Sequence, residues 1–371
     1  MTCLWVLPLV LLAGCGDGDS SSENIPEGGT PSIEITPGDV LMNASGETKT
    51  IVVKANEAWT VKADGQTWYS LSANSGHTGE TALKIIARKN ETEQERGAKL
   101  SFSIGAEYNK EYTFKQAKGE VENYVPAGYS LVWQDEFNDS RLAGGKPALP
   151  NTAKWWYEEG NHGWGNNELE NYIQGFSGTD TCAVVADGTL KIIARKRGSE
   201  VISIRMNTSE SWTYGYFEAR LKLPSGKGTW PAFWMLPKNF TTWPGDGEID
   251  IMEEVGYDPN VILSTIHCNA YNHSIGTQKS GTRRIPTAQT DFHVYAVEWT
   301  ADFIKGYVDG ECYFTFDNDK KGNKDTWPFN VPFYLKLNLA WGGNWGGAQG
   351  IDESALPATY EIDYVRVFQK N

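Results

Sequence analysis

The chain has 371 residues, a formal net charge of −14 at pH 7 and 40% hydrophobic residues. This length allows two domains, and the apolar content is sufficient to build a buried core in each. The acidic balance argues against nucleic acid or an anionic membrane surface as a partner, because both select for basic patches. Three of the 15 tryptophans precede residue 120. The rest of the chain is therefore rich in large, flat aromatic surfaces.

The first 31 residues predict a leader and a tether. Residues 4–12 form an apolar run too short to span a bilayer as a helix. The run ends in Leu12-Ala13-Gly14-Cys15, which resembles the lipobox of bacterial lipoproteins. The resemblance implies a lipoprotein signal peptide over 1–15 and an outer-membrane lipoprotein whose only membrane contact is a lipid on Cys15. Residues 16–31, rich in Gly, Ser and Asp, predict a flexible tether and suggest cell-surface exposure.

The cysteines do not predict a metal site or a disulfide framework. Two of the five lie in the leader, and the remaining three have no zinc-type spacing.

Residues 32–118 predict a small antiparallel sandwich. Polar and apolar residues alternate in short segments, and turn residues recur about every ten to fifteen positions. The segments begin at Ile33, Thr50, Trp59, Ala82, Lys99 and Tyr112. This part resembles a BACON module, an immunoglobulin-like domain found ahead of carbohydrase domains. The resemblance is carried by Trp59, Trp68-Tyr69-Ser70-Leu71-Ser72, Asn90, Arg96 and Gln116-Ala117.

The aromatic residues of this module have two interpretations. Trp59, Trp68 and Tyr69 either bind glycan at the surface or fill the core of the sandwich. Each stands where a sandwich would bury an aromatic side chain, so we favour a core or spacer role.

A short linker, residues 119–126, precedes a second all-β domain over residues 127–371. Hairpin turns are predicted at Asp187-Gly188 and Asp309-Gly310. Apolar residues alternate with polar ones after Phe217 and again after Phe333, and no useful helix-period segment is present. Many strands and few helices predict a two-sheet jelly-roll sandwich.

The most informative stretch is Gly245–Gly256, which contains Glu248, Asp250 and Glu253. Apolar residues separate the acids with the period of a strand, but the spacing slips by one before Glu253. A β-bulge would return Glu253 to the face shared by the other two. Three carboxyls on one surface repel one another and contribute nothing to strand propensity, so this pattern indicates a function.

Two carboxyls on one face suit glycoside hydrolysis with retention of configuration. One ionised carboxylate attacks the anomeric carbon, and a protonated carboxyl about 5 Å away donates to the leaving oxygen. We expect Asp250, between the two glutamates, to orient one of them and to help hold another acid protonated through its charge.

The motif Glu248-Ile249-Asp250-Ile251-Met252-Glu253 resembles the signature of glycoside hydrolase family sixteen, in the bulged form shared by laminarinase-like β-glucanases. The resemblance continues through Tyr214–Pro224, Trp230–Pro237, Phe292–Trp299 and Tyr360–Phe368. It implies a jelly roll with an open substrate cleft, with Glu248 as nucleophile and Glu253 as acid/base. No cofactor is expected for catalysis.

The family resemblance also implies the residues that bind substrate. Trp230 and Trp234, four apart on one strand, would face the sugar attacked by Glu248, with Phe233 and Met235 in the core. His267 would lie beside the leaving group, and Asn166 and Arg205 would bind sugars on the non-reducing side.

Glu136 and Asp363 match family positions that hold a structural calcium ion on the convex side in some members. Two carboxylates alone do not define such a site, so backbone carbonyls and water would have to supply most of the ligands.

The sequence leaves three functions open. The first is an endo-acting, retaining β-glucanase that cuts β-1,3 or mixed β-1,3-1,4-glucan, acting as a monomer. The second keeps the mechanism but cuts a galactan or a mucin-type O-glycan; sulfated chains would require arginine or lysine in the cleft. The third is a non-catalytic surface glycan-binding lipoprotein, which would have no reason to retain all three carboxyls.

Overall fold

The computed structural model describes residues 30–90, 92, 94–119, 123–137, 148–186 and 188–371. The predicted signal peptide, with Cys15, and all but the last two residues of the tether lie outside these ranges. The chain forms two compact units, Met1–Glu122 and Asn123–Asn371, which divide inside the predicted linker. Within the described ranges, we find no helix with the length and apolar character needed to cross a membrane.

The first unit is an immunoglobulin-like sandwich of two sheets. One sheet has the order β1-β3-β7-β5 and the other the order β2-β9-β8-β4-β6. The strands are β1 Ile33–Thr36, β2 Leu41–Met42, β3 Glu47–Ala55, β4 Trp59–Ala63, β5 Tyr69–Leu71, β6 Ser75–Gly76, β7 Gly79–Ala87, β8 Arg96–Ile104 and β9 Tyr108–Gln116. All six predicted strand segments are present.

Aromatic side chains fill the core of this sandwich. Trp59, Trp68 and Tyr69 are each less than 10% exposed. Trp68 and Tyr69 both pack edge-on against Phe114, and Trp59 packs against Phe102. The core interpretation of these three residues is confirmed, so they do not offer a sugar-binding face in this unit.

The second unit is the predicted two-sheet jelly roll, with two short 3-10 helices at His273–Ile275 and Glu353–Ala355. Its first strands are β10 Tyr129–Asp135, β11 Trp155–Tyr157, β12 Glu170–Tyr172, β13 Phe176–Ser177, β14 Asp180–Thr181, β15 Ala183–Ala186, β16 Thr189–Arg197, β17 Glu200–Ser203, β18 Arg205–Thr208 and β19 Gly215–Lys222. The later strands are β20 Thr229–Pro237, β21 Glu248–Glu253, β22 Val261–His267, β23 Lys279–Arg284, β24 His293–Trp299, β25 Phe303–Val308, β26 Glu311–Asp317, β27 Phe333–Trp341 and β28 Ala358–Lys370.

Two large sheets enclose the core of this unit. The cleft sheet has seven strands in the order β11-β18-β27-β20-β21-β22-β23. The second sheet has the order β12-β17-β16-β28-β19-β24-β25-β26, with β10 beside β28 and β15 beside β16. The predicted alternation in β19 and β27 places Phe217 and Leu337, among others, in the core between the sheets.

The hairpin predictions hold where the structure describes them. Asp309 and Gly310 connect β25 to β26, both with positive φ, as a tight two-residue turn requires. Gly188 lies in the turn between β15 and β16, whereas Asp187 lies outside the described residues.

Strand register aligns polar side chains in rows across the cleft sheet. One row runs through cross-strand partners from Trp156 on β11 to Asp250 on β21; its members are Trp156, Asn207, Lys336, Trp234 and Asp250. A neighbouring row consists of Arg205, Asn338, Ala232 and Glu253. Because cross-strand partners share a face, residues distant in sequence meet on one surface.

Candidate active site

The three acids of β21 share one face because the strand contains the predicted bulge. Asp250 pairs with Thr265 on β22 and Glu253 pairs with Leu263, so β21 uses three residues where β22 uses two. The side chains of Ile251 and Met252 are both buried in the core. Two consecutive apolar residues therefore point inward, and Glu253 returns to the cleft with Glu248 and Asp250.

The cleft is a cavity of about 450 Å³. It is lined by all three acids and by Trp230, Trp234, Arg205 and Asn166, as predicted for these residues. It also contains residues that sequence reasoning missed, among them Glu158, Glu168, Trp243, Tyr334 and Asn338.

Asp250 is the most deeply buried of the three acids on β21, with 3% of its surface exposed. Burial raises its pKa well above the usual range, and the charges of Glu248 and Glu253 raise it further. This shift favours the protonated form of the side chain, which can donate a hydrogen bond.

Glu248 and Glu253 have different surroundings. Burial raises the pKa of Glu248, as does Glu253, while Arg205, a hydrogen bond from Trp243 and Lys336 act in the opposite direction. Burial also raises the pKa of Glu253, which receives a 3.0 Å hydrogen bond from the Trp230 indole. Two coupled acids cannot both ionise freely, so one stays protonated when the other has lost its proton.

The charged neighbours of Glu253 also differ from those of Glu248. The negative charge of Glu168 raises the pKa of Glu253. The positive charges of Arg205 and Lys336 instead favour an ionised Glu248. Burial outweighs these charges and raises the pKa of Glu248 to about 8 and that of Glu253 to about 7, so the roles of nucleophile and acid are assigned from the family motif and not from these charges.

Trp230 and Trp234 lie on β20 and both face the cleft, as predicted, whereas Phe233 and Met235 are fully buried in the core. The indole of Trp234 donates to Asn338 Oδ1 at 2.7 Å. Because each indole N–H has a fixed acceptor, the ring faces are held in place before any substrate arrives.

Arg205 belongs to a buried ionic cluster beside Trp234. Its Nε donates to Glu158 at 2.6 Å, and its guanidinium group lies over the rings of Trp164 and Trp234 at 4.7 and 4.8 Å. Lys336 is fully buried and donates to the same oxygen of Glu158 at 2.7 Å. A single carboxylate thus partners both Arg205 and Lys336, and burial lowers the pKa of Lys336 to about 7 despite this partner.

Lys336 could have been suspected from the sequence. Tyr334, Lys336 and Asn338 form the polar alternation opposite the buried leucines of β27. Alternation alone reveals that these residues share a face, but it does not reveal that the face covers a cleft.

Asn166 holds the carboxylate of Glu168 through a hydrogen bond. Its amide donates to Glu168 at 3.3 Å, and the hydroxyl of Tyr172 donates to the other oxygen of Glu168 at 3.0 Å. Asn338 then donates to the hydroxyl of Tyr172 at 3.2 Å. This chain of hydrogen bonds links Glu168 to Trp234 through Asn338.

His267 pairs with Glu248 across β21 and β22. Its Nε2 lies 3.4 Å from Asp250 and 3.8 Å from Glu248. Burial and the neighbouring His273 lower the pKa of His267 to about 4, so its imidazole is neutral near pH 7. The structure therefore places this residue against the proposed nucleophile and Asp250.

Glu136 and Asp363, the residues predicted to hold calcium, each have an arginine partner. Arg366 donates to both oxygens of Glu136, and Arg220 donates to Asp363 at 2.8 Å. Calcium takes about six to eight oxygen ligands, which two neutralised carboxylates do not approach. Glu136 and Asp363 therefore do not fit a calcium ion.

Other potential metal ligands lie in the cleft. Across the described ranges, one group of three such side chains meets, formed by Glu248, Asp250 and His267 within 4.8 Å. Since two of these three are the acids discussed above, the group belongs to the same site.

Comparison with known families is consistent with this geometry. The model of the glycosyl hydrolases family 16 matches residues 170–366, and that of the viral BACON domain matches residues 32–118. The chain belongs to glycosyl hydrolase family 16. Glycosidases of this family need no cofactor for catalysis.

Similar proteins span the second unit. A β-glucanase of Rhodothermus marinus is 48% identical over 254 residues, which are 65% of this chain and 85% of that protein. A keratan-sulfate endo-1,4-β-galactosidase of Sphingobacterium multivorum is 34% identical over 252 residues, 65% of this chain and 55% of that protein. The solved structure of the laminarinase from Rhodothermus marinus has a TM-score of 0.60 at 47% identity, covering 65% of this chain and 97% of that one.

The charge of Glu168 should set the alkaline limit of activity in this family 16 enzyme. Glu168→Gln keeps an acceptor for Tyr172 but removes the charge that raises the pKa of Glu253. The pKa of Glu253 then falls, so its acid form is lost at lower pH. The alkaline limb of the kcat/KM profile should move to lower pH, with little change at the optimum.

Glu159→Gln is the matched control, because Glu159 is a nearby glutamate that hydrogen-bonds to Gln174 and does not line the cleft. Its pH profile should follow that of the wild type. An unchanged alkaline limb in Glu168→Gln would show that Glu168 does not control Glu253.

Proposed function

We propose that this protein is a retaining endo-β-glucanase that hydrolyses β-1,3-glucan or mixed β-1,3-1,4-glucan by double displacement. The observation that carries the proposal is the bulge of β21, which directs Glu248, Asp250 and Glu253 into one cleft walled by tryptophans. A protein that only binds glycan would not need three acids that repel one another on one face.

In the first step, the Glu248 carboxylate attacks the anomeric carbon as the glycosidic C–O bond breaks. Glu253 gives its proton to the departing oxygen, which leaves as the free hydroxyl of the shortened chain. The sugar remains covalently attached to Glu248 as an ester. Arg205 and Lys336 favour the ionised nucleophile before attack, and the charge of Glu168 favours the protonated acid.

In the second step, Glu253 takes a proton from a water molecule that attacks the same carbon and releases Glu248. Each step inverts the anomeric centre, so the product keeps the β configuration. Asp250 stands between the two glutamates on β21 and assists them, and neutral His267 lies 3.4 Å from Asp250 and 3.8 Å from Glu248.

The charges in the cleft favour a neutral polymer. Arg205 and Lys336 are the basic residues that would have to bind a sulfate group, but both already donate hydrogen bonds to Glu158. A sulfate group on the substrate would compete with this buried ion pair and would also lie near the acids of the cleft. The β-glucanase of Rhodothermus marinus, at 48% identity, supports the same substrate class.

We propose that the protein acts as a monomer and cuts within a polymer. The open shape of the cleft supports cleavage within a polymer, because a chain can pass through without its ends being bound.

Replacement of either glutamate should remove the chemistry but not the fold. Glu248→Ala and Glu253→Ala should each lower turnover on β-glucan by several orders of magnitude. Azide should restore Glu248→Ala and yield a glycosyl azide of inverted configuration. Glu253→Ala should retain much of its activity on substrates with good leaving groups, because these need no proton.

Glu311→Ala serves as the control, since Glu311 is an exposed acid at the start of β26 in the second sheet. It should cleave β-glucan at the wild-type rate. Near-wild-type turnover in either cleft variant would remove that glutamate from the mechanism.

We further propose that Cys15 carries the lipid anchor of an outer-membrane, surface-exposed lipoprotein. The lipobox-like sequence and the polar tether after it support this proposal. The full chain should fractionate with membranes, and Cys15→Ala should release it as a soluble product. Equal membrane retention of both forms would contradict the anchor, whereas resistance to external protease on intact cells would contradict only the surface exposure.

A further inference from the structure

Trp156 is an exposed aromatic side chain at the edge of the cleft sheet. It is 43% exposed, whereas the adjacent Trp155 is 1% exposed and lies in the core. Since neighbouring residues of a strand point to opposite faces, Trp156 faces the cleft side of β11. It takes no part in the two proposed steps of hydrolysis.

The exposed ring is held in place. Its indole Nε1 donates to the backbone oxygen of Thr208 at 3.2 Å. Tyr334 lies beside it with ring centroids 6.0 Å apart, and Lys336 lies 5.2 Å from the Tyr334 ring. Tyr334 also lines the cleft, so the two rings form a platform that continues the cleft floor outward. A prearranged apolar surface of this kind loses little conformational entropy when a ligand covers it.

The strand register gives an estimate of the distance between Trp156 and the acids. Trp156 and Asp250 stand in the same cross-strand row and are separated by four strand steps, through β18, β27 and β20. Four steps of about 4.8 Å place the ring roughly 19 Å from the acids. One β-linked glucose unit advances a chain by no more than roughly one interstrand spacing, so a glucan crossing the strands needs at least about four units to reach Trp156 from the acids.

We propose that Trp156 and Tyr334 form a distal sugar-binding platform, which stacks on the glucose unit about four residues from the cleaved bond on the Arg205 side. This inference rests on the proposed β-glucanase function and extends it to chain-length preference. The two rings are inclined to each other by 49°, so each offers its own fixed and uncharged face to the apolar C–H surface of a β-linked glucose unit.

The connection of the platform to the cleft supports a sugar as its occupant. Tyr334 lines the same cavity as Trp234 and the three acids. Lys336 is fully buried and lies 4.9 Å from the ring of Trp234 and 5.2 Å from that of Tyr334, so aromatic rings connect the platform to the site that holds the reacting sugar. The cations beside it are paired with Glu158, so the platform itself offers stacking and no free charge.

The test compares kcat/KM of the full-length chain on a ladder of β-1,3-linked glucose oligosaccharides, from chains too short to reach Trp156 to chains that extend past it. For the wild type, kcat/KM should rise when the chain becomes long enough to cover the platform. Trp156→Ala should lose about tenfold on the long chains, as expected for one stacked ring, and should match the wild type on the short ones. Trp156→Tyr should recover most of the loss.

Leu131→Ala is the matched control, because Leu131 is a 46% exposed apolar residue on β10, in the second sheet. It should behave as the wild type on every length. Equal kinetics of Trp156→Ala and the wild type on long chains would overturn the platform, as would an equal loss on short and long chains. A wild type that cleaves no β-glucan would instead refute the underlying function, and the platform with it.

Discussion

One extra residue in β21 is the constraint on which the site depends. A regular strand would carry Glu253 into the core and place Met252 in the cleft. The bulge lets Ile251 and Met252 both pack between the sheets, where each is fully buried. The apolar packing that stabilises the jelly roll therefore also fixes the positions of Glu248, Asp250 and Glu253. The same bulge therefore serves both the packing of the core and the placement of the acids.

Three acids on one face destabilise this strand. Arg205 and Lys336 lower the pKa of Glu248, and Glu168 raises that of Glu253. Burial is the larger effect, so the pKa of each of the three acids stays above its usual range. The strand keeps these acids although their charged forms are disfavoured, which indicates that they are there for chemistry.

The sequence predicted local features well because their signals are local. Alternation revealed the strands, Asp309-Gly310 revealed a hairpin, and the slipped spacing before Glu253 revealed the bulge. The ionic cluster was missed because Glu158, just after β11, meets Arg205 on β18 and Lys336 on β27 only through the order of strands in the sheet. The raised pKa of Asp250 could not be predicted for a related reason, since burial depth is a tertiary property.

The anomeric configuration of the first product tests the central claim most directly. Proton NMR during the earliest turnover of a β-1,3-glucan oligosaccharide reads the new reducing end before mutarotation mixes the anomers. If Glu248 and Glu253 act by double displacement, the β-anomer appears first and the α-anomer follows only slowly. Initial release of the α-anomer would mean a single displacement by water and would contradict the assignment of Glu248 as nucleophile.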